Sequence, residues 1–384
     1  MEEELKVIIS GGGTGGHIFP AISIANALKA IKPNVKILFV GAEGRMEMKR
    51  VPAAGYEIKG LPVSGFDRKN LLKNIKVLFK AAQSRAKAKQ IIKEFRPHIA
   101  VGVGGYASGP TLSACEAQGI PIVLQEQNSY AGITNKLLAR KAQKICVAYE
   151  HMERFFPASK IMITGNPVRQ ELLSINVSRE VAIKSFGLDP SKKTILIIGG
   201  SLGARTINES VLSHLSLIRQ SNVQFIWQTG SFYSEQIQIE LDKREKPDNI
   251  YVCDFISDMA KAYKAADLVI SRAGASSISE LCLLGKPCIL VPSPNVAEDH
   301  QTKNALALTE KNAAIYIKDT DAKMALIPKA VSTANEPEQL VTLSRNILTM
   351  AHPNAAKTIA EEIIKLASKR TTIQSARATD LFSD

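Results

Sequence analysis

Short apolar runs alternate along the chain with longer stretches of helical spacing. In the first half the runs are Leu5 to Ile9, Lys36 to Val40, Ile99 to Val103, Ile122 to Leu124, Lys144 to Val147 and Ile161 to Ile163, several of them bracketed by glycine or proline. The pattern pauses near Gly165-Asn166-Pro167-Val168-Arg169 and restarts with Thr194 to Ile198, Gln224 to Gln228, Ile250 to Cys253, Leu268 to Ser271, Cys288 to Val291 and Ala314 to Ile317. Strands alternating with helices predict parallel sheets joined by right-handed crossovers, hence a doubly wound α/β fold. The restart predicts two Rossmann-like domains in tandem, one over 1–166 and one over 167–351, and 384 residues suffice for both to bury a core. The stretch Ala355 to Lys369 is amphipathic enough to dock on a domain, and the polar residues 371–384 are expected to be a disordered tail.

Glycine turns close several of these strands. Ser10-Gly11-Gly12-Gly13-Thr14-Gly15-Gly16-His17 lies between the first strand and the helical stretch Pro20 to Ala30. Glycines let the main chain approach a bulky anion, and the first N–H groups of a helix, lacking internal partners, point at it. His17 has no structural reason to close such a turn and titrates near neutrality. Gly11, Gly13 and Gly16 also satisfy G-x-G-x-x-G, with Glu43 after the second strand where a ribose-binding acid belongs, so an NAD-dependent oxidoreductase and a plain tight turn are both alternatives. A second loop, Gly102-Val103-Gly104-Gly105-Tyr106-Ala107-Ser108-Gly109-Pro110, follows a strand of the same sheet, and two such loops converge where open α/β sheets hold ligands.

In the second half Gly199-Gly200-Ser201-Leu202-Gly203-Ala204 repeats the glycine turn. Ser271-Arg272-Ala273-Gly274-Ala275-Ser276-Ser277-Ile278-Ser279-Glu280 then joins a strand to a helix. Small residues at that helix start suit a diphosphate, and Glu280 could accept both hydroxyls of a ribose; capping by Ser276 or Ser277 is the structural alternative. The polar run Glu298 to Asn304 suits a sugar. Asp319-Thr320-Asp321 is a D-x-D triplet of the type that holds metal–nucleotide diphosphates, but its place in a polar stretch away from every glycine turn reads as a surface turn. H-E-x-x-H and the Walker lysine sequence are both missing from the chain, which leaves metalloprotease and P-loop chemistry without support.

The formal charge of +13 is concentrated between Phe66 and Arg96, where ten basic residues face two acids. Within it Leu71, Leu72, Ile75, Leu78 and Phe79 fall at helical spacing, interleaved with Lys69, Lys73, Lys76 and Lys80. Basic residues flanking an apolar stripe point to an anionic membrane surface. Nucleic acid is the competing partner for so much charge, but no aromatic residues are spaced as a stacking platform, which favours anionic lipid and no nucleic acid. The opening residues lack a signal peptide's features and no apolar run approaches a membrane span, so a soluble or peripheral protein is expected. Five cysteines stand singly without a C-x-x-C pair and read as buried thiols rather than a disulfide framework or zinc site.

Taken in order, GGGTGGHIFPA, GGYASGP, EQN with AGITNK, TGNPVR, GGSLGA, SRAGASSISE and DHQTKNA make the chain resemble the MurG family of bacterial cell-wall N-acetylglucosaminyltransferases, from about Lys6 to Lys369. Gln125 departs from the pattern, relatives often carrying histidine there. The resemblance implies a GT-B fold, two Rossmann-like domains facing across a cleft, with the final helix (about 352–370) returning to the first domain. It implies UDP-GlcNAc as donor, with Arg169, Ser201 and Ile256 around the uridine and diphosphate, the Ile256 backbone reading the uracil edge. Gly274, Ala275, Ser276, Ser277, Ile278 and Ser279 would receive the diphosphate, Glu280 the ribose, and Gln301 with His300 the GlcNAc hydroxyls. Thr14, Gly15, Gly16 and Asn128 would complete the donor site, and Gly104, Gly105, Tyr106 and Ser108 would hold the lipid-linked acceptor, lipid I.

The implied reaction is an inverting transfer to the 4-hydroxyl of MurNAc, with His17 as the base, giving lipid II. No tightly bound cofactor or protein-held metal is required, free Mg²⁺ being compatible with the reaction. The expected location is peripheral, on the cytoplasmic face of the inner membrane, among other cell-wall synthesis proteins. A UDP-sugar 2-epimerase of similar fold is the alternative within this architecture.

Overall fold

Val7 and Ile9 point to one side of the first strand and Ile8 to the other, and all three are fully buried. A strand with apolar side chains on both faces has to be covered on both, which is what a doubly wound sheet provides. In the computed structural model the described residues are 4–63, 73–168, 172, 176–296 and 299–380, with backbone alone described for 73–79, 81 and 370–380. The chain divides into two compact units, Met1–Val168 with Pro353–Asp384, and Arg169–His352.

The first unit contains β1 (Lys6–Ser10), α1 (Gly15–Ile31), β2 (Lys36–Ala42), α2 (Glu47–Ala53), β3 (Glu57–Leu61), α3 (Lys73–Phe95), β4 (Ile99–Gly102), α4 (Ser108–Glu116), β5 (Ile122–Glu126), α5 (Ile133–Leu138), β6 (Lys144–Val147) and β7 (Ile161–Ile163). Its strands are all parallel, in the order β3-β2-β1-β4-β5-β6-β7. Val7, Ile9, Phe39 and Val101 meet Ile24 and Leu28 of α1 on one face, while Ile8, Leu38, Ala100 and Leu124 meet Ile91, Ile92 and Leu112 on the other. The order reverses between β1 and β4, so the loops leaving these two strands flank the crevice where such sheets bind ligands. β3 was not expected from the sequence: Glu-Ile-Lys-Gly-Leu is a half-exposed edge strand with little apolar content, and pairing with β2 makes it a strand.

The second unit contains α6 (Arg179–Lys184), β8 (Thr194–Ile198), α7 (Arg205–Ser213), α8 (Leu215–Gln220), β9 (Gln224–Gln228), α9 (Ser234–Arg244), β10 (Ile250–Cys253), α10 (Met259–Ala265), β11 (Leu268–Ser271), α11 (Ala275–Leu283), β12 (Cys288–Leu290), α12 (His300–Thr309), β13 (Ile315–Tyr316), α13 (Asp319–Ala334) and α14 (Pro337–Leu348). Its parallel order is β10-β9-β8-β11-β12-β13. Trp227 is buried in this core, and its indole N–H donates to Asn208 Oδ1 at 3.0 Å. Asn208 in turn donates to the Thr229 carbonyl at 2.8 Å, so the buried polar groups are satisfied in a chain. Burial pushes the thiols of Cys146 and Cys282 up to about 12 and that of Cys253 up to about 11, which keeps them neutral.

The last helix, α15 (Ala355–Asp380), packs against α1 within the first unit, burying Ile359, Ala360, Ile363 and Ala367. It is helical to Asp380, whereas the polar composition after Lys369 predicted disorder from 371. The residues beyond Lys369 include good helix formers, and a helix already nucleated by docking propagates through them. Truncating Ile363 to alanine should destabilise the first unit by about 2–5 kcal/mol through loss of buried methylenes and a residual cavity. Chemical denaturation of the variant against wild type measures this, and an unchanged midpoint would show that the docked face contributes nothing.

Candidate active site

In the first unit the two predicted glycine loops pack directly on each other. A Cβ on Gly105 (φ +89°) would fall within 2.9 Å of the Gly12 amide nitrogen, so glycine is needed there for both the conformation and the space. His17, in the first turn of α1, lies between the loops. Its Nδ1 is 3.0 Å from the Gly12 carbonyl and 3.4 Å from Thr14 Oγ1, and a Cβ on Gly104 would come within 2.9 Å of its Nε2. A carbonyl can only accept, so Nδ1 carries the proton and the ring's basic lone pair is on Nε2, the side facing Gly104. Thr14 is the N-cap of α1 but makes no side-chain capping bond, and the first turn contains no acid, so the helix start keeps its positive character.

Around these loops the structure separates predicted site residues by role. Tyr106 is 56% exposed at its loop tip, available to a ligand. Ser108 is fully buried, and its hydroxyl lies 2.7 Å from the Ser10 carbonyl and 2.9 Å from that of Gly104. Its place is therefore beneath the two loops, tying them together, rather than against the acceptor as expected. Glu43, the acid of the dinucleotide reading, pairs with Lys87 at 2.7 Å on the surface.

Two buried carboxylates that sequence reasoning missed organise the loops. Glu47, on α2, accepts from Gly13 N–H at 2.9 Å and from Ala42 N–H at 3.0 Å. Glu126, at the end of β5, accepts from the Asn128 and Gly132 main-chain N–H groups at 3.1 and 2.9 Å and from the Asn135 amide at 2.9 Å. Asn128 also donates its side-chain amide to Glu126 at 3.3 Å, which fixes its orientation. Gln125 lies beneath this loop in a network of buried amides with Asn166 (2.9 Å) and Gln127, so the departure at position 125 falls in the interior.

In the second unit, loops leave the C-terminal ends of the adjacent strands β8, β9 and β10. The Ser201 carbonyl accepts from Ser231 N–H at 3.1 Å, and Gly230 N–H donates to the Asp254 carbonyl at 3.1 Å. Ser201 is exposed at the first of these loops. Ile256 is buried and its N–H donates to Gln228 Oε1 at 3.2 Å, so its carbonyl is the backbone group it can offer a nucleobase.

Helix α11 starts beyond β11 with Gly274 as N-cap, no side-chain cap and no acid in its first turn. The capping alternative for Ser276 and Ser277 is thus not realised. Ile278 is core and its N–H is bonded to the Gly274 carbonyl, and the Ser279 hydroxyl donates back to Ala275 O at 2.8 Å. Of the predicted stretch, the groups α11 can offer an anion are therefore the N–H groups of Ala275, Ser276 and Ser277. Ser276 Oγ is shielded and makes no hydrogen bond among the described residues.

Glu280, one turn further, is buried, and Tyr263 donates its hydroxyl to Oε2 at 3.0 Å. Gln301 accepts from Ser293 N–H through Oε1 at 2.8 Å, so its NH₂ end is the part of the amide that can donate elsewhere, and His300 precedes it at the start of α12. Arg169 lies outside the described residues. So do Lys69, Leu71 and Leu72; Lys73, Ile75, Lys76, Leu78 and Phe79 fall on α3 with backbone alone described.

Asp319 is not part of a surface turn as predicted. It opens α13, forms an ion pair with Arg272 and accepts from Thr206 Oγ1 at 3.0 Å. Arg272 also donates to the carbonyls of Val291 and Pro292 at 3.1 and 3.0 Å. The guanidinium thus ties the loop before α11 to the loop after β12 and to the start of α13, and Asp319 extends the link to α7 through Thr206. Among the described residues no three His, Cys, Asp or Glu side chains converge as a metal site.

Two family models match the chain, the glycosyltransferase family 28 N-terminal domain over residues 7–147 and the glycosyltransferase family 28 C-terminal domain over 194–359. A relative from Phocaeicola vulgatus is 67% identical over 96% of this chain and 98% of its own length, and one from Bacteroides fragilis 64% identical over 96% and 97%. Both are named UDP-N-acetylglucosamine--N-acetylmuramyl-(pentapeptide) pyrophosphoryl-undecaprenol N-acetylglucosamine transferase. Among solved structures, Acinetobacter baumannii MurG superposes with a TM-score of 0.73 at 29% identity, covering 94% of this chain and 99% of that one. A UDP-GlcNAc 2-epimerase from Neisseria meningitidis gives 0.64 at 15% identity, covering 94% and 100%, a likeness of fold alone.

Proposed function

The chain belongs to glycosyltransferase family 28, and from that premise we infer that it transfers N-acetylglucosamine from UDP-GlcNAc to undecaprenyl-pyrophosphoryl-MurNAc-pentapeptide, lipid I, forming lipid II for peptidoglycan. The observation that carries this reading is the 67% identity over 96% of the chain to a relative named for that reaction. The 2-epimerase alternative rests on fold alone. Conversion of a lipid I analogue to the corresponding lipid II by the purified protein tests the assignment; release of ManNAc without transfer would replace it by epimerisation.

The donor fits the second unit. The diphosphate is placed at the start of α11, where unpaired N–H groups and the helix dipole stabilise the negative charge that grows as UDP departs, a dipole term of about 0.3–1 kcal/mol when exposed and up to about 2 kcal/mol when partly buried. Glu280 accepts the ribose hydroxyls, Gln301 with His300 holds the sugar, and the Ile256 carbonyl together with Ser201 and Arg169 borders the uridine and diphosphate. The lipid-linked acceptor belongs to the first unit, along the loops of Gly12 to His17 and Gly104 to Tyr106. His17 Nε2 takes the proton of the attacking 4-hydroxyl as the bond to C1 forms, and the configuration there inverts.

Binding at the cytoplasmic face of the membrane is assigned to α3 and its basic flank. No described helix is long and apolar enough to cross a membrane. The far end of α3 is anchored in the core by Ile91 and Ile92, while Lys80 is exposed. In the same unit, α5 exposes Ile133 and Leu137, the latter by 75%, beside Lys136 and Arg140. Charge reversal at Lys69, Lys73, Lys76 and Lys80 should weaken binding to anionic vesicles by on the order of 1 kcal/mol per residue and leave transfer to a short-chain soluble acceptor intact. Co-sedimentation unchanged by the four substitutions would remove this face from the contact.

A further inference from the structure

The peptide group between Gly12 and Gly13 is hydrogen-bonded at both ends. Its N–H, on Gly13, donates to Glu47 Oε2 at 2.9 Å, and its carbonyl, on Gly12, accepts from His17 Nδ1 at 3.0 Å. We propose that Glu47 acts through this peptide as the acid of a relayed triad: a positioning residue that holds His17 as the Nδ1–H tautomer and strengthens Nε2 as the base. The proposal rests on the reading of His17 as that base.

The physical argument is one of polarisation. An amide whose N–H is bonded to a carboxylate carries more negative charge on its oxygen, so the carbonyl becomes a better acceptor. That favours a protonated Nδ1 and stabilises the imidazolium that forms when Nε2 takes a proton. A carboxylate bonded directly to an imidazole does the same in hydrolytic triads, where losing it leaves the wrong tautomer. Here a peptide plane transmits the effect.

Several features of the sequence fit this relay. Glu47 is only 1% exposed, and its second oxygen is held by Ala42 N–H at 3.0 Å, so the carboxylate is fixed from two elements. Room for it is made by two glycines. A Cβ on Gly12 would overlap the Glu47 carboxylate, and one on Gly41 would lie 2.6 Å from its Cγ. A glutamine of the same size keeps an acceptor for only one of the Gly13 and Ala42 N–H groups and turns its own NH₂ toward the other, so Glu47→Gln weakens the brace as well as removing the charge, and the ring tautomer and the double variant are what separate a relay from a brace.

The test begins on the unmodified protein. With ¹⁵N-labelled histidine, and His17→Ala used to assign the signal, the His17 ring should appear as the Nδ1–H tautomer; an Nε2–H tautomer overturns the proposal whether or not any Glu47 variant folds. Glu47→Gln should lower kcat about tenfold or more, as loss of partners orienting a functional histidine does, with the dissociation constant for UDP-GlcNAc unchanged. In the His17→Ala background the same substitution should cost nothing further, because the two residues act as a unit. Wild-type kcat in Glu47→Gln beside an impaired His17→Ala overturns the relay alone, as does an independent loss in the double variant. Full activity of His17→Ala overturns instead the base reading on which the proposal stands.

Discussion

His17→Ala is expected to lower kcat about 10²- to 10⁴-fold, the range a positioned general base contributes, and to change the dissociation constant for UDP-GlcNAc by less than about twofold. The expectation follows from where the ring lies. Its Nδ1 is committed to the Gly12 carbonyl at 3.0 Å, which leaves the chemistry to Nε2 on the side of Gly104. Steady-state transfer to a lipid I analogue, with calorimetry for the donor, separates the two quantities. A kcat close to wild type would end the base assignment, and a loss confined to donor affinity would make His17 a binding residue. Gly104→Ala supplies a graded control, because its new methyl would fall 2.9 Å from Nε2 at a φ of +90°, displacing the ring and straining the loop, and should lower kcat less than removal of the imidazole.

How far this site could be read beforehand depended on the range over which its parts interact. Strand β1, the glycine turn and α1 are contiguous, so apolar runs and glycines revealed them, and the same holds for β11 and the start of α11. Glu47 and Glu126 gave no signal, since an isolated acid becomes meaningful only when folding brings main-chain N–H groups to it; the Gly13 bond to Glu47 spans 34 residues. Ser108 misled for the converse reason. A serine in a glycine loop looks ligand-facing until the carbonyl of Ser10, 98 residues earlier, takes up its hydroxyl. Asp319 was read from its polar neighbours as a surface turn, yet its partners Arg272 and Thr206 lie 47 and 113 residues away. Edge strand β3 escaped because its pairing with β2, not its composition, makes it a strand.

Glu280→Ala is expected to weaken UDP-GlcNAc binding about 10²-fold or more. Two hydrogen bonds from ribose hydroxyls to a carboxylate contribute about 1.5–3 kcal/mol each, and about 3 kcal/mol already amounts to two decades in Kd. Because the ribose is common to both, UDP itself should lose affinity by the same factor, whereas a base or sugar contact would discriminate between them. The 2′-deoxyribose donor should bind wild type more weakly than UDP-GlcNAc but bind Glu280→Ala equally well, closing a cycle between one hydroxyl and one carboxylate. A competing role is purely structural, since Tyr263 is buried and donates to Glu280 Oε2 at 3.0 Å. Removing the acceptor breaks that buried hydrogen bond, at a cost of about 1–3 kcal/mol in stability. Tyr263→Phe with Glu280→Ala removes donor and acceptor together. If stability returns in the double variant while donor affinity stays low, the carboxylate binds ribose; if affinity returns as well, Glu280 is a brace for α11 and the ribose is held elsewhere.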